Sequence, residues 1–146
     1  MILDEEKYIL RNGGNEMYEF KEEYVTGIEE IDAEHKRLFE IADETYYLSK
    51  EEFLVDKYDQ VRHILGELKE YALMHFDHEE AYMESIGYKQ MFMQKVQHDA
   101  FREKINNWDL DHLDENSDEL VEEILTFLTN WLVSHILEHD KQIGEA

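Results

Sequence analysis

Polar side chains interrupt the apolar stripes that run along this sequence. Each stripe repeats every three or four residues, which is typical of an amphipathic helix, and an apolar residue is expected at every repeat. A carboxylate or imidazole buried there costs free energy unless it binds a partner. One buried histidine is usually a satisfied core residue, but four, one on each stripe, indicate a metal site. The polar residues on the stripes are His35, His75, Glu79, Gln94, His98 and His135.

Two spacings allow an imidazole and a carboxylate to reach the same metal. His75 and Glu79 are four residues apart, so both leave one helix face in adjacent turns. His135 and Asp140 are five apart at the end of the last predicted helix, where we expect fraying to turn the carboxylate inwards. Four imidazoles and two carboxylates are too many for one tetrahedral zinc. They suit a pair of borderline metals, and manganese accepts similar ligands.

A ferritin-like di-iron site is an alternative that the residues exclude. Such a site needs Glu-x-x-His on two helices and two further glutamates. The motif Glu-x-x-His does not occur anywhere in the sequence. The metal pair must therefore be held by a different arrangement of ligands.

Four helical stripes position these residues. They occupy residues 28–42, 61–83, 91–108 and 121–135, and short polar breaks at 49–56, 87–88 and 109–117 separate them. Residues 1–18 show no sustained period and contain Gly13-Gly14. The sequence therefore predicts an all-α fold, with an irregular N-terminal arm over residues 1–18. An antiparallel up-down four-helix bundle is predicted over residues 19–146.

Composition argues against several classes of function. The chain has 146 residues, enough for one domain, and its 14 Lys plus Arg against 37 Asp plus Glu give a formal net charge of −23. This charge argues against binding nucleic acid or an anionic membrane surface. The absence of cysteine excludes thiolate metal sites and disulfides. The N-terminus lacks the regions of a signal peptide, and the longest apolar stretch, 124–137, is too short to span a bilayer. We therefore expect a soluble cytoplasmic protein.

With these residues in place, the chain resembles the bacterial hemerythrins from about Phe20 to the C-terminus. Several motifs in the right order make the match specific. The matching segments are Tyr24-x-x-Gly27-Ile28-x-x-Ile31-Asp32-x-x-His35-Lys36-x-Leu38-Phe39, His75-Phe76-x-x-Glu79-Glu80-x-x-Met83, Gly87-Tyr88, His98-x-x-Phe101 and Trp131-Leu132-x-x-His135-Ile136-x-x-x-Asp140-Lys141.

The resemblance implies a four-helix bundle around two iron ions, Fe2+ or Fe3+, with a bridging oxide or hydroxide. It implies that one iron is bound by His35 and His75 and keeps an open position for O2. The other iron would be bound by His98 and His135. The remaining ligands, Glu79 and Asp140, would bridge the pair. The implied function is reversible O2 binding, as a carrier, store or sensor module, with O2 as the ligand and no protein partner identifiable.

One position departs from the family pattern. The family has His-x-x-x-His on the third helix, and Gln94 stands at the first of these two positions. Three outcomes are open: the amide oxygen of Gln94 coordinates weakly, water fills the position, or His139 substitutes. An open position would favour an enzyme that reduces O2, peroxide or nitric oxide, which is the alternative function. A third alternative is an interaction domain whose metal site has decayed.

The other histidines are predicted to lie outside the site. His63 and His112 are expected at the surface, because neither falls on an apolar stripe. His78 lies between His75 and Glu79 in the sequence, but a rotation of about 100° per residue turns it away from their face.

Overall fold

Four long helices form the structure, a computed structural model that describes residues 17–52 and 54–146. They are α1, Glu29–Ser49; α2, Lys57–Ser85; α3, Met91–Asn106; and α4, Asp118–His135. A π-helical segment, Ile136–Asp140, and a short helix α5, Lys141–Gly144, continue α4, and a 3-10 turn, Glu22–Tyr24, precedes α1. The described residues contain no strand, so the prediction of an all-helical fold is confirmed. Most of the predicted N-terminal arm, residues 1–16, lies outside the described residues.

The helices pack around one apolar core. α1 contacts α2 and α4, and α2 contacts α3, as in a four-helix bundle. The predicted stripes supply most of the core, because their apolar residues line the inner face of each helix. The largest fully buried side chains are Phe76, Phe101, Leu38, Ile64, Leu65, Leu68, Met83, Ile105, Leu125, Leu128, Leu132 and Ile136.

Local sequence determines where α2 ends. Gly87 adopts a left-handed conformation, with φ of 62°, which glycine adopts without steric cost. Its N–H donates to the carbonyl of Glu84 over 3.1 Å, and the N–H of Tyr88 donates to the carbonyl of Met83 over 2.9 Å. This pair of bonds is the Schellman motif, which satisfies carbonyls at the helix end. It ends α2 less than two turns after Glu79 and directs the chain into α3.

The end of α5 packs against the turn that begins α1. Asp32 accepts hydrogen bonds from the backbone N–H groups of Thr26, over 2.8 Å, and Gly27, over 3.0 Å. Gly144 lies so close to the carbonyl of Thr26 that a Cβ atom at Gly144 would overlap it. This contact holds the segment that carries Asp140 against the start of α1.

One helical stretch, Asp118–Gly144, is long and apolar enough to cross a membrane by length and composition. Its most apolar 18-residue window has a mean hydropathy of 1.2, and 44% of that window is buried inside the protein. A core helix passes the same test, and the stretch carries the buried polar residues His135 and Asp140. We therefore interpret it as the core helix of the bundle.

Candidate metal centre

Six polar side chains meet at one buried point of the bundle. The structure brings together all of those predicted to bind metal, and each is at most 3% exposed. α1, α3 and α4 each contribute a histidine, α2 contributes a histidine and a glutamate, and the π-helical segment contributes an aspartate. They are His35, His75, Glu79, His98, His135 and Asp140.

The carboxylate of Glu79 lies between two pairs of imidazoles. Its Oε2 atom is 3.2 Å from Nε2 of His75 and 3.6 Å from Nε2 of His35. Its Oε1 atom is 3.1 Å from Nε2 of His98 and 3.9 Å from Nε2 of His135. Each oxygen therefore serves a different pair of histidines, which is the arrangement that a bridging carboxylate requires.

Asp140 divides its oxygens between the same two pairs. Oδ2 lies 3.2 Å from Nε2 of His35, and Oδ1 lies 3.2 Å from Nε2 of His135. The two carboxylates thus approach both halves of the cluster from different helices. The halves are called here the His35–His75 half and the His98–His135 half.

A π turn directs Asp140 into the cluster. Five residues of α-helix rotate by about 500°, which would leave the side chains of His135 and Asp140 about 140° apart. The π-helix closes each turn with an i→i+5 hydrogen bond, so residues five apart come close to one face. A regular π turn over Ile136–Asp140, rather than the frayed end expected from the sequence, places this carboxylate beside His135.

The donor chemistry of the cluster fits a pair of cations. Both ring nitrogens of His35 and both oxygens of Glu79 lack a hydrogen-bond partner, and a buried unsatisfied polar group costs about 1–3 kcal/mol. The shortest contacts between donor atoms are 3.1–3.2 Å. Octahedral bonds of about 2.1 Å place neighbouring donors about 3.0 Å apart. In each half, the two histidines and both carboxylates form a set of four donors within 4.8 Å of one another.

The electrostatics of the cluster favour positive charge. Burial lowers the pKa of His75, but the hydrogen bond to Glu34 and the nearby carboxylate of Glu79 outweigh it and raise that pKa to about 10. Burial likewise lowers the pKa of His35, but the nearby carboxylates of Asp140 and Glu79 outweigh it and raise that pKa above its ordinary value. Burial raises the pKa of Glu79, yet the close approach of the surrounding imidazoles holds it well below its ordinary value. Protons on imidazoles and bound cations are thus alternative ways to compensate the carboxylates.

Carboxylates outside the cluster orient two of the imidazoles. Nδ1–H of His75 donates to Oε1 of Glu34 over 2.9 Å, and Nδ1–H of His98 donates to Oε2 of Glu80 over 2.7 Å. Such a bond fixes the tautomer, leaves the Nε2 lone pair facing the cluster and makes the imidazole a stronger ligand. These two histidines are therefore set up to bind metal through Nε2.

Glu34, Glu80 and Gln97 are functional residues for which the sequence pattern predicted no role. Nδ1–H of His135 donates to Oε1 of Gln97 over 2.8 Å, and Nε2 of Gln97 donates to Nε2 of His139 over 2.8 Å. Each of the three missed residues is adjacent in sequence to a predicted ligand. A rotation of about 100° turns it from its own helix face towards a histidine of the cluster on the next helix. A polar residue directly beside a predicted ligand is therefore the sequence signal that could have indicated these hydrogen-bond partners.

Three other histidines, His63, His78 and His112, lie at the surface, outside the cluster, as predicted. The side chains of His63 and His78 are 57% exposed, and that of His112 is 82% exposed. His78 nevertheless contacts the site indirectly, because its Nδ1–H donates to Oε2 of Glu34 over 2.6 Å. The same carboxylate thus joins the exposed ring of His78 to the buried ring of His75.

Aromatic rings pack directly on the imidazoles of the His98–His135 half. Phe76 stacks on His98 at 4.3 Å between ring centroids, and Trp131 stacks on His135 at 4.5 Å. Phe101 packs behind Trp131 at 4.3 Å. These contacts fix the ring planes and cover this side of the cluster with apolar surface.

Gln94 also reaches the cluster. It is 1% exposed, and its Nε2 donates to Oδ1 of Asp140 over 3.1 Å, while its Oε1 has no hydrogen-bond partner. His139, by contrast, is held by Gln97 and belongs to neither set of converging donors. Gln94 and not His139 is therefore the side chain that points into the cluster where the family pattern has a histidine.

A helical bundle with this buried cluster has close counterparts among known proteins. The family model for the hemerythrin HHE cation binding domain matches residues 26–146. A bacteriohemerythrin of Clostridium acetobutylicum is 46% identical over 126 residues, which cover 86% of this chain and 98% of that protein. A bacteriohemerythrin of Pseudomonas aeruginosa is 26% identical over 83% of this chain and 75% of its own length.

These matches place the protein in a class of helical proteins with a non-haem metal centre. The chain belongs to the hemerythrin family, since the family model covers most of its length and a relative of nearly the same extent shares almost half of its residues. The buried cluster of His, Glu and Asp side chains is the part of the structure that agrees with such a centre.

Proposed function

We propose that the cluster holds two iron ions and that the protein binds O2 reversibly at them, as a carrier, store or sensor module. The observation that carries the proposal is that both carboxylates are shared between two histidine pairs. In this arrangement His35 and His75 bind one ion and His98 and His135 bind the other. Glu79 and Asp140 bridge the ions, each with one oxygen directed to either half. A bridging oxide or hydroxide belongs to the same proposal.

The iron pair supplies the electrons and the vacant position that reversible O2 binding requires. The residues of this chain hold and orient it. Glu34 and Glu80 keep the Nε2 atoms of His75 and His98 directed at the metal positions. Phe76 and the aromatic residues beside it cover the cluster and would keep water away from the position where O2 binds.

We also propose the order of the helices in the bundle, the bounds of the bundle and a location in the cytoplasm. Residues 50–56, 86–90 and 107–117 are short connections between helices, which favours an antiparallel up-down order for α1 to α4. The bundle is assigned to residues 19–146 after an N-terminal arm. Location in the cytoplasm remains part of the proposal.

A second candidate function is a di-iron enzyme that reduces O2, peroxide or nitric oxide. The observation that favours it is Gln94, because this chain provides two rather than three histidines in the His98–His135 half. If Gln94 does not coordinate, both irons would have open positions and O2 would be consumed rather than released.

One experiment separates these functions. The purified protein is analysed for iron per chain, and its visible spectrum is recorded without O2, in air, and again after O2 is removed. Reversible O2 binding predicts two irons and a visible band that appears in air and disappears without O2. Irreversible loss of the band with turnover of peroxide would favour the enzyme, and a chain that takes up no iron would overturn both.

A further inference from the structure

The carboxamide of Gln94 occupies a defined place in the cluster. The residue lies on α3 one turn before His98, and its side chain is 1% exposed. Its Nε2 donates to Oδ1 of Asp140, the same oxygen that lies 3.2 Å from Nε2 of His135. The carboxamide is therefore on the side of the His98–His135 half.

The orientation of this carboxamide is determined by Asp140. With Nε2 against the carboxylate, a donor faces an acceptor. Rotation by 180° would place two acceptor oxygens in contact, so the observed orientation is the favourable one. Oε1 is consequently left without a donor, in a buried cluster of carboxylate oxygens and imidazole nitrogens.

A metal cation is the group that satisfies an oxygen in these surroundings. Buried carbonyl oxygens in proteins are almost always paired with a donor or an ion. Carboxamide oxygens bind divalent cations alongside carboxylates. A single cation could bind Oδ1 of Asp140 and Oε1 of Gln94 together, because the hydrogen bond between the two side chains holds them next to each other.

We propose that Gln94 is a metal ligand through Oε1 and gives the His98–His135 half a neutral oxygen where an imidazole would otherwise bind. This inference rests on the proposed metal pair. The His98–His135 half then has five protein ligands and the His35–His75 half has four, so the vacant position lies in the latter. The two metal positions are chemically unequal.

The exchange of nitrogen for oxygen changes the metal preference of that half. Oxygen ligands suit manganese, whereas imidazole suits zinc, copper and nickel as well as iron. The His98–His135 half should therefore discriminate less against Mn2+ than a site with three imidazoles. We therefore expect Mn2+ to compete with zinc, copper and nickel mainly for the metal position of the His98–His135 half.

The test compares metal binding to the metal-free full-length protein and three variants. Gln94→Leu removes the oxygen at similar volume, Gln94→His supplies an imidazole, and Gln90→Leu changes an exposed glutamine on the surface as a matched control. Mn2+ and Zn2+ are titrated separately by calorimetry, and the two stepwise dissociation constants are determined. Circular dichroism of each metal-free variant establishes that it is folded.

The inference predicts that one of the two Mn2+ constants weakens in Gln94→Leu by about 10-fold or more, the range seen when groups that support a ligand are lost. The other constant and both constants of Gln90→Leu stay at the wild-type values. In Gln94→His the preference for Zn2+ over Mn2+ rises by about 10-fold or more at one position. Unchanged constants in both Gln94 variants would overturn the inference, and so would a change in both positions alike. A wild-type protein that binds fewer than two ions would instead overturn the proposed metal pair.

Discussion

The Nε2 atoms of His98 and His135 face each other at a distance of 3.1 Å. Each ring donates its Nδ1–H to a fixed acceptor, Glu80 for His98 and Gln97 for His135. In neutral rings with these tautomers, both Nε2 atoms carry a lone pair, and two lone pairs at this distance repel. A cation bound by both Nε2 atoms would remove the repulsion. The hydrogen bonds at Nδ1 to Glu80 and Gln97 therefore create a place for positive charge between the two rings.

The shared carboxylate of Glu79 predicts a loss of metal at both positions when it is neutralised. Glu79→Gln keeps the shape of the side chain but leaves one weak oxygen donor in place of two charged ones. We expect the metal content to fall from two ions per chain to one or fewer, measured by elemental analysis after equilibration with excess iron under anaerobic conditions. Glu84→Gln, an exposed position on the same helix, is the control and should retain two ions. Two ions retained in Glu79→Gln would contradict the bridging role.

The carboxylates Glu34 and Glu80 predict effects on separate metal positions. Each accepts the Nδ1–H of one histidine of the cluster, Glu34 from His75 and Glu80 from His98, and these histidines belong to different halves. Glu34→Gln and Glu80→Gln should each weaken one stepwise binding constant by about 10-fold, because a neutral acceptor supports the imidazole less strongly. The measurement is a metal titration of the metal-free protein, with the exposed His63→Gln as control. If either single variant weakened both constants equally, the two halves would not be separate positions.

Removal of metal should lower the stability of the fold. Ions that bind only the folded state stabilise it by about 2.7 kcal/mol each when present at 100 times their dissociation constant. For a chain of this size that free energy corresponds to about 5–10 °C in Tm. Thermal unfolding with iron, and again after reduction and chelation, measures the shift. Glu79→Gln should show a smaller shift, and an equal Tm with and without metal would contradict convergence of the six side chains on metal.

The buried carboxyl of Asp43 predicts a dependence of stability on pH that is unrelated to metal. Burial raises its pKa from 3.8 to about 6, although the backbone N–H groups of Tyr18 and Met17 donate to it. The folded state thus binds this proton more tightly than the unfolded state. The resulting contribution to stability is complete below about pH 4 and is lost as the pH rises through 6.

Asp43→Asn removes this titration and tests the prediction. The difference in free energy of unfolding between variant and wild type should shift by about 1 kcal/mol in favour of the variant between pH 4.5 and 7, after allowance for solvent screening. Urea unfolding of the two metal-free proteins measures it, and all shared titrating groups cancel in the difference. A constant difference across this range would show that Asp43 titrates normally.

Substitution by alanine should have opposite effects on the stability of the protein at Gly66 and at Gly144. At Gly66, within α2, a Cβ atom meets nothing within 4 Å, so Gly66→Ala should stabilise the protein by about 0.5–1 kcal/mol through helix propensity. At Gly144 the Cβ atom would overlap the carbonyl of Thr26, so Gly144→Ala should lower stability and weaken metal binding by displacing the segment of Asp140. Urea unfolding and a metal titration measure the two effects. A Gly144→Ala protein with wild-type metal affinity would show that this contact does not position Asp140.

Periodicity was sufficient to predict the helices and the inward direction of the ligands. Residues such as His75 and Glu79 are on one face at any point of an α-helix, so their convergence follows from spacing alone. The contacts of Glu34 and Gln97 could not be predicted in this way. They depend on how far one helix is rotated against its neighbour, which the pattern of a single helix does not specify.

The end of the last helix shows a second limit. A spacing of five between His135 and Asp140 fits no α-helical face, and the sequence carries no separate signal for a π turn. The sequence correctly predicted that the Asp140 side chain points towards the cluster. The π turn that directs it there was visible only in the structure. The Gln94 carboxamide is similar, because its hydrogen bond to Asp140 depends on that same turn.

The π turn also makes the chain tolerant of a change in length at this point. A π turn accommodates one residue more than an α turn over the same rotation. Deletion of the exposed Glu138 would let an ordinary α-helix carry the histidine and the aspartate four positions apart, again on one face. The helix after the deletion would keep its rotation about its own axis, so Ile143 would still face the core. We therefore expect the number of residues between His135 and Asp140 to tolerate a change of one, provided that both side chains still point into the cluster.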